Sequence, residues 1–316
     1  MEVNSFMEWR KSELKKIIFM LMVLIVGTVH GENITYKKNK KILTSIQAVY
    51  SIAKSLTKDT DIEVYSIFDS DVSMDYGKSA FDNKDLDLSS AKDAVAVVDV
   101  AKVWHNDYLY EYARRKNIRI VEIDASYSFS GNDYLSLSLL NYKNGDRNPY
   151  VWMSFQNVIK MANIVSDDLS ELFPEDGKKI EDNLEKFSQE IKKIENEYLE
   201  KTLALSSLSV ITLTENLDYL FNDLNIFFNY VDSNEVTVEK ISEVMKRNNS
   251  KIFVSDRWLK KEIINEIEKK GGKFLVLDNF NIPRELNEKM DPDGYLKGMK
   301  ENMEKLVEAM KIMDKK

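Results

Sequence analysis

Histidine and cysteine, the residues that most often bind zinc or serve nucleophilic catalysis, are nearly absent from this chain. Its 316 residues include two histidines, His30 and His105, and no cysteine. If His30 is removed with the predicted leader, His105 alone remains, and a Ser-His-Asp or Cys-His catalytic device is all but excluded. The P-loop, GxGxxG, HExxH and GxSxG motifs are also missing. We therefore predict that the protein is not an enzyme and that it cannot build a zinc site from imidazole or thiolate ligands.

The first 31 residues have the three regions of a secretory signal peptide. Four basic residues between positions 10 and 16 precede the apolar run 17–26, and the small-residue site Val29-His30-Gly31 follows. The apolar run is short for a membrane span, and a retained anchor is the alternative interpretation. Without a cysteine for lipid attachment, the exported chain is expected to be a soluble periplasmic protein. Its formal charge of −8 disfavours nucleic acid and anionic lipid as partners.

Short apolar runs alternate with amphipathic stretches along the rest of the chain. Runs this apolar, separated by helices, are typical of parallel strands that are covered on both faces. The predicted strands are 41–44, 62–68, 94–100 and 118–123 in the first half, and 208–213, 226–231, 251–254 and 273–277 in the second. Helices are predicted over 46–56, 108–115, 238–247, 260–270 and 294–312. The pattern indicates an α/β fold with two lobes, each with a mostly parallel sheet flanked by helices.

A long, regular helical pattern separates the two halves. After Pro174, apolar residues recur at steps of four and three from Ile180 to Tyr198, which places them on one face of a single helix. A helix over 174–203 would join an N-terminal lobe at 32–173 to a C-terminal lobe at 204–316. The alternative for this apolar stripe is the seam of a coiled-coil dimer.

Four segments of the chain resemble the solute-binding proteins of zinc and manganese ABC transporters, in the class whose lobes are joined by a helix. In chain order they are "KILTSIQAVYSIAKSL" (41–56), "NPYVWMSFQNVIKMANIVSDDLSELFPED" (148–176), "KIFVSDRWLKKEIINEIEKKGGKFLVLD" (251–278) and "DPDGYLKGMKENMEKLVEAM" (291–310). Their order and spacing match the family's opening strand and helix, its "DPHVWLDP" helix, its "AIFVEPQ" segment and its closing helix. The resemblance implies two α/β lobes joined by one long linker helix, with a ligand cleft between them.

The resemblance also implies four metal-ligand positions, of which only the last keeps the family's residue type. They fall at Ser73 (with Asp71 and Asp75 close by), Tyr150, Thr214 (with Glu215 next to it) and Asp293. The candidate metal ligands are therefore Asp75, Tyr150, Glu215 and Asp293. Oxygen donors of this kind suit Mn²⁺, Mg²⁺ or Ca²⁺ better than Zn²⁺, and tyrosinate also suits Fe³⁺.

The function implied by the resemblance is that of a periplasmic, monomeric substrate-binding subunit of a metal-type ABC importer. It would bind a divalent metal ion, zinc or manganese by resemblance, and deliver it to a membrane permease with its ATPase. The missing histidines leave two alternatives open. One is a metal-free paralogue that acts as an adhesin or interaction protein. The other is a binder of an organic or chelated-metal ligand between the same lobes.

Overall fold

Two parallel four-stranded sheets organise the part of the chain that the computed structural model describes, residues 40–68, 72–82, 89–129 and 133–314. The predicted signal peptide lies outside these residues. The first sheet has the order β2-β1-β3-β4, with β1 (Lys41–Thr44), β2 (Glu63–Ser66), β3 (Ala96–Asp99) and β4 (Val121–Asp124). The second has the order β6-β5-β7-β8, with β5 (Ser209–Thr212), β6 (Phe227–Tyr230), β7 (Ile252–Ser255) and β8 (Lys273–Val276). Each of the eight predicted runs overlaps one of these strands, so the predicted α/β fold is confirmed.

The central strands β3 and β7 are buried at every position because both faces of each sheet are covered. Side chains alternate between the faces of a strand. In β1, Ile42 points into the core that includes the linker helix, whereas Leu43 points into a second cluster with α2 (Lys78–Asp82) and α3 (Leu109–Lys116). In β5, Val210 joins the same central core and Ile211 joins a cluster on the outer face. One continuous core therefore contains residues of both lobes.

Helices flank both sheets, and a helix ends the described part of the chain. Besides α2 and α3 they are α1 (Gln47–Leu56), α4 (Phe155–Leu172), α5 (Gly177–Thr202), α6 (Asp218–Asp223), α7 (Ile241–Asn248), α8 (Lys261–Lys269) and α9 (Gly294–Asp314). A hairpin of β9 (Glu285–Leu286) and β10 (Lys289–Met290) precedes α9. The sequence patterns did not predict α2, α6 or this hairpin, which are too short to show a period. Among the helices of the described ranges, none has the length and apolar character required to cross a membrane.

The 26-residue helix α5 joins the two lobes, as predicted. Its stripe, with Ile180, Phe187, Ile191 and Tyr198, is buried against α1 of the first lobe and against α4 and α9. Because the stripe packs within this chain, it is not available as a coiled-coil seam. Helix α9 also contacts α1, β7 and β8, so it ties the lobes together a second time. The lobe boundaries at 173 and 203 stay a prediction.

Candidate ligand-binding cleft

The carboxyl ends of the central strands of the second sheet bring several polar side chains together. In the order β6-β5-β7-β8 the chain leaves β5 and β7 in opposite directions, which opens a crevice between their carboxyl ends. Thr214 and Glu215 follow β5, and Asp256 and Arg257 follow β7. The topology therefore places two carboxylates and one guanidinium at the same edge of the sheet.

Asp256 is the most firmly held acid at this edge, and the sequence analysis missed it. Its side chain is only 4% exposed. Its Oδ2 accepts hydrogen bonds from the Thr214 hydroxyl at 3.2 Å, the Asn216 amide at 2.6 Å and the Asn279 amide at 2.9 Å. The sequence did contain a signal for Asp256: it directly follows a buried parallel strand, and ligands bind at the edge formed by the carboxyl ends of such strands.

An ion pair crosses from this edge to the first lobe. The Arg257 Nη2 lies 3.3 Å from Asp75 Oδ2, and its Nε lies 3.8 Å from Asp256 Oδ1. Asp75 belongs to a short turn after β2, which is fixed by Asn281: the Ser73 hydroxyl donates to the Asn281 side-chain oxygen at 3.1 Å, and the Met74 N–H donates to the Asn281 carbonyl at 2.9 Å. One guanidinium thus contacts a carboxylate from each lobe.

Tyr150 lies beside these charges but is buried. Its side chain is 6% exposed, and its ring packs against Trp152 with 5.4 Å between the centroids. Burial raises the pKa of the Tyr150 hydroxyl, nearby Asp75 and Asp256 raise it further, and Arg257 opposes them. The phenol therefore stays neutral at physiological pH, and a neutral phenol is a weak metal ligand.

Tyr142, which the sequence analysis did not select, connects Glu215 with this group. Its hydroxyl donates to the Asn216 side-chain oxygen at 2.8 Å. Burial raises the pKa of Tyr142, and so do Tyr150, Asp256 and Glu215, which places all four in one electrostatic neighbourhood. The Glu215 carboxylate accepts the backbone N–H of Lys143 at 2.6 Å. One Glu215 oxygen is therefore already used by the main chain.

The structure brings Asp75, Tyr150 and Glu215 to one region but does not bring Asp293 there. Asp293 is exposed just before α9, in a groove that Lys58 of the first lobe and Asn183 of α5 also line. Asp71 lies outside the described residues, and His105 is an exposed side chain. Within the described ranges, no three His, Cys, Asp or Glu side chains are arranged to hold a metal ion.

The profile of one protein family, described as "Zinc-uptake complex component A periplasmic" (ZnuA), matches residues 42–309 of this sequence. The chain belongs to the ZnuA family. The match spans both sheets, the linker helix and most of α9, so it includes the whole of the cleft. A comparison with curated protein sequences gave no match.

Solved structures with the same fold include FpvC, ZnuA and Lbp. The manganese complex of FpvC from Pseudomonas aeruginosa has a TM-score of 0.66 and 18% identity, over 87% of this chain and 99% of that one. A ZnuA crystal structure has a TM-score of 0.65 and 17% identity, over 85% and 98%. The laminin-binding protein Lbp of Streptococcus pyogenes has a TM-score of 0.63 and 17% identity, over 85% and 98%. At such identities the comparison shows the fold.

The donors in the cleft of this ZnuA-family chain do not suit zinc. Zinc sites in proteins are built from imidazole, thiolate and carboxylate ligands, usually four in a tetrahedron. Here Tyr150 is neutral, Asp256 Oδ2 already accepts three hydrogen bonds and Asp75 is paired with Arg257. Ser73 and Thr214, at two of the aligned ligand positions, act instead as hydrogen-bond donors to Asn281 and Asp256.

Three buried acids lie at the carboxyl edge of the first sheet of this family member. Asp99 and Asp124 end β3 and β4, and Asp107 precedes α3. Burial raises the pKa of all three, that of Asp107 to about 7, and repulsion from Asp107 and Asp124 raises the pKa of Asp99 further. Asp99 Oδ2 is buried without a hydrogen-bond partner in the part of the chain that the structure describes.

These acids predict that the protein is more stable in mild acid than at alkaline pH. Because their folded-state pKa values lie above the unfolded ones, the folded state binds more protons between about pH 4 and pH 7, and its stability falls as the pH rises through that window. We expect the free energy of unfolding to decrease by on the order of 2 to 4 kcal/mol from about pH 5 to pH 8, measured by urea denaturation.

The substitution Asp99→Asn tests the source of this pH dependence. It removes the charge of the buried acid whose Oδ2 has no partner among the described residues, so it should stabilise the protein at about pH 8 by roughly 1 to 2 kcal/mol and leave it nearly unchanged at about pH 5. The matched control is Asp146→Asn in an exposed loop, which should leave the pH profile as it is in the wild type. An unchanged profile in Asp99→Asn would show that Asp99 does not contribute.

Proposed function

We propose that this ZnuA-family chain is the periplasmic solute-binding subunit of an ABC importer, and that its ligand binds between the lobes beside Arg257 and Tyr150. The observation that carries the proposal is the contact of Arg257 with carboxylates of both lobes, Asp75 and Asp256. A ligand that replaces or extends this contact interacts with both lobes at once. It therefore favours one relative position of the lobes, and a permease with its ATPase can read that position. The subunit acts as a monomer.

The groups in the cleft favour an organic or chelated-metal solute over a bare zinc ion. A guanidinium presents planar N–H donors that match carboxylate-type oxygens, and Arg257 is 65% exposed and accessible. The half-buried Tyr142 adds a hydroxyl, whereas Tyr150 is buried and packs against Trp152. The neighbour FpvC was solved in complex with Mn²⁺ and the matching family is that of a zinc-uptake component, which supports a metal-containing cargo. In this chain the metal would arrive with oxygen ligands of its own.

Native purification followed by mass spectrometry and elemental analysis tests this proposal. Protein released from the periplasm without denaturation should carry a small organic molecule, with or without a metal at equal stoichiometry. Adding that molecule back to protein refolded without it should raise the melting temperature, because a ligand at about 100 times its Kd stabilises the folded state by roughly 2.7 kcal/mol. A strain that lacks the gene should lose uptake of the same solute.

Two results would contradict parts of the proposal. Stoichiometric bare Zn²⁺ or Mn²⁺, with stabilisation by either ion alone, would replace the organic solute by a metal ion. Unchanged uptake in the deletion strain, with no ligand recovered, would contradict the importer role itself.

Exposed aromatic side chains near the same edges favour an interaction protein as the second candidate. Trp258, directly after Arg257, is 76% exposed, and Tyr127 and Phe129, which follow β4, are 52% and 59% exposed with 5.2 Å between their rings. Aromatic residues are enriched at protein interfaces. The structural neighbour Lbp is called a laminin-binding protein. Binding of this chain to immobilised laminin that is lost in Trp258→Ala or Phe129→Ala, while solute uptake persists unchanged without the gene, would favour this candidate.

A further inference from the structure

We infer that Arg257 supplies the cleft with a cation of its own and thereby excludes bare divalent metal ions. This inference rests on the proposed function, since it concerns the same cleft. It assigns the choice of ligand to one residue that lies at none of the aligned ligand positions. Arginine is suited to this role because its guanidinium stays protonated at any physiological pH.

The charge distribution around the cleft makes Arg257 the cation that contacts both carboxylates. Asp75 and Asp256 lie 3.3 Å and 3.8 Å from its nitrogens. The nearby ammonium of Lys143 is directed elsewhere, because its Nζ lies 3.9 Å from the centre of the Tyr230 ring. A divalent ion that bound Asp75 and Asp256 would have to displace the guanidinium or remain beside it against electrostatic repulsion.

The local geometry leaves oxygen donors for a metal ion once the guanidinium is gone. Asp256 Oδ2 is held by three hydrogen bonds, but Asp256 Oδ1 has the longer contact to Arg257. Asp75 is 52% exposed, so both of its oxygens can turn toward the cleft. The carboxylates of Asp75 and Asp256 are hard donors, which favour Mn²⁺ over Zn²⁺.

The exposure of the ion pair indicates that its main role is not stability. The side chains of Arg257 and Asp75 are 65% and 52% exposed, and ion pairs that exposed contribute little to folding. Substitution of Arg257 should therefore leave the fold intact. A change in metal binding can then be measured on folded protein.

Titration of the purified full chain with MnCl2 and ZnCl2, by calorimetry and by thermal shift, tests the inference. The wild type should show no saturable binding up to about 1 mM metal. Arg257→Ala should bind Mn²⁺ with a Kd at least about tenfold below that limit. Arg257→Lys keeps the positive charge and should exclude the ion as the wild type does. The double substitution Arg257→Ala with Asp75→Ala should lose the gained affinity, which locates the ion in the cleft. The matched control is Arg247→Ala, which breaks an exposed 3.2 Å pair with Glu235 in the same lobe and should change nothing.

Three outcomes would overturn the inference. In the first, the wild type binds metal as tightly as Arg257→Ala does. In the second, neither Arg257→Ala nor Arg257→Gln gains metal binding. In the third, the gained binding persists when Asp75 is also replaced. Arg257→Gln provides the measurement if the alanine variant does not fold. None of these outcomes bears on the importer role, which fails instead if deletion of the gene leaves solute uptake unchanged.

Discussion

Replacing Trp152 with alanine is expected to lower the free energy of unfolding by about 3 to 5 kcal/mol, the largest effect of any single change considered for this chain. Trp152 is fully buried. Its indole N–H donates to the Asn279 carbonyl at 3.0 Å, and its own carbonyl accepts the Tyr295 hydroxyl at 2.5 Å. The side chain thus connects the turn before α4 with the loop after β8. Its removal leaves a cavity, an unpaired carbonyl and a Tyr150 ring without its neighbour.

Urea denaturation of the wild type and three variants measures this effect. Trp152→Phe fills most of the space but lacks the N–H, so its loss should be intermediate. Trp258→Ala is the matched control, because that indole is 76% exposed, and its effect should stay within about 0.5 kcal/mol. A loss below about 1 kcal/mol in Trp152→Ala would mean that the surrounding core collapses into the space or that Trp152 is not central to it.

The elements of the fold were predictable because their signals are local. The run Lys41–Thr44 was predicted with the bounds that the structure shows, since a parallel strand covered on both faces has consecutive apolar residues, here Ile42 and Leu43. The apolar stripe of α5, from Ile180 to Tyr198, repeats over about five turns of helix, which is long enough to define its period. The three-residue turn Val151–Met153 between Tyr150 and α4 was not predicted, because Ser154, whose hydroxyl accepts the Asn157 N–H at 3.1 Å, delays the start of α4.

The composition of the cleft was less predictable because it depends on contacts between distant segments. Asp293 has the residue type of its aligned position, but hydrogen bonds hold the loop before it against α1. The Gln47 side-chain amide donates to the Asp291 carbonyl at 2.8 Å, and the Asp291 carboxylate accepts the Asp293 N–H at 3.0 Å. No local pattern reports such a contact. Likewise, Arg257 becomes important only because Asp75, 182 positions away in sequence, lies beside it.

Replacing Asp256 with alanine is expected to lower the free energy of unfolding by about 2 to 4 kcal/mol, because it removes the acceptor of three hydrogen bonds at once. The Asn279 side chain is buried, so its amide would lose its partner where water cannot easily replace it. Asn216 would lose its 2.6 Å hydrogen bond to Asp256. Its side chain would then be less well fixed as the acceptor of the Tyr142 hydroxyl. Chemical denaturation at neutral pH measures the loss.

Asp256 is held by three hydrogen bonds, whereas the Asp75 carboxylate is held by its ion pair with Arg257, so the two substitutions should differ in their cost to stability. Asp75→Ala removes a carboxylate with one 3.3 Å partner at a half-exposed position, so its cost should stay below about 1 kcal/mol. Asp256→Asn keeps an oxygen acceptor and should fall between the two. Equal losses in Asp256→Ala and Asp75→Ala would contradict the hydrogen-bond network drawn around Asp256. A larger loss in Asp256→Ala means that the second lobe fixes its carboxylate before any ligand arrives, so that ligand binding has to order only the more exposed Asp75 and Arg257 side chains.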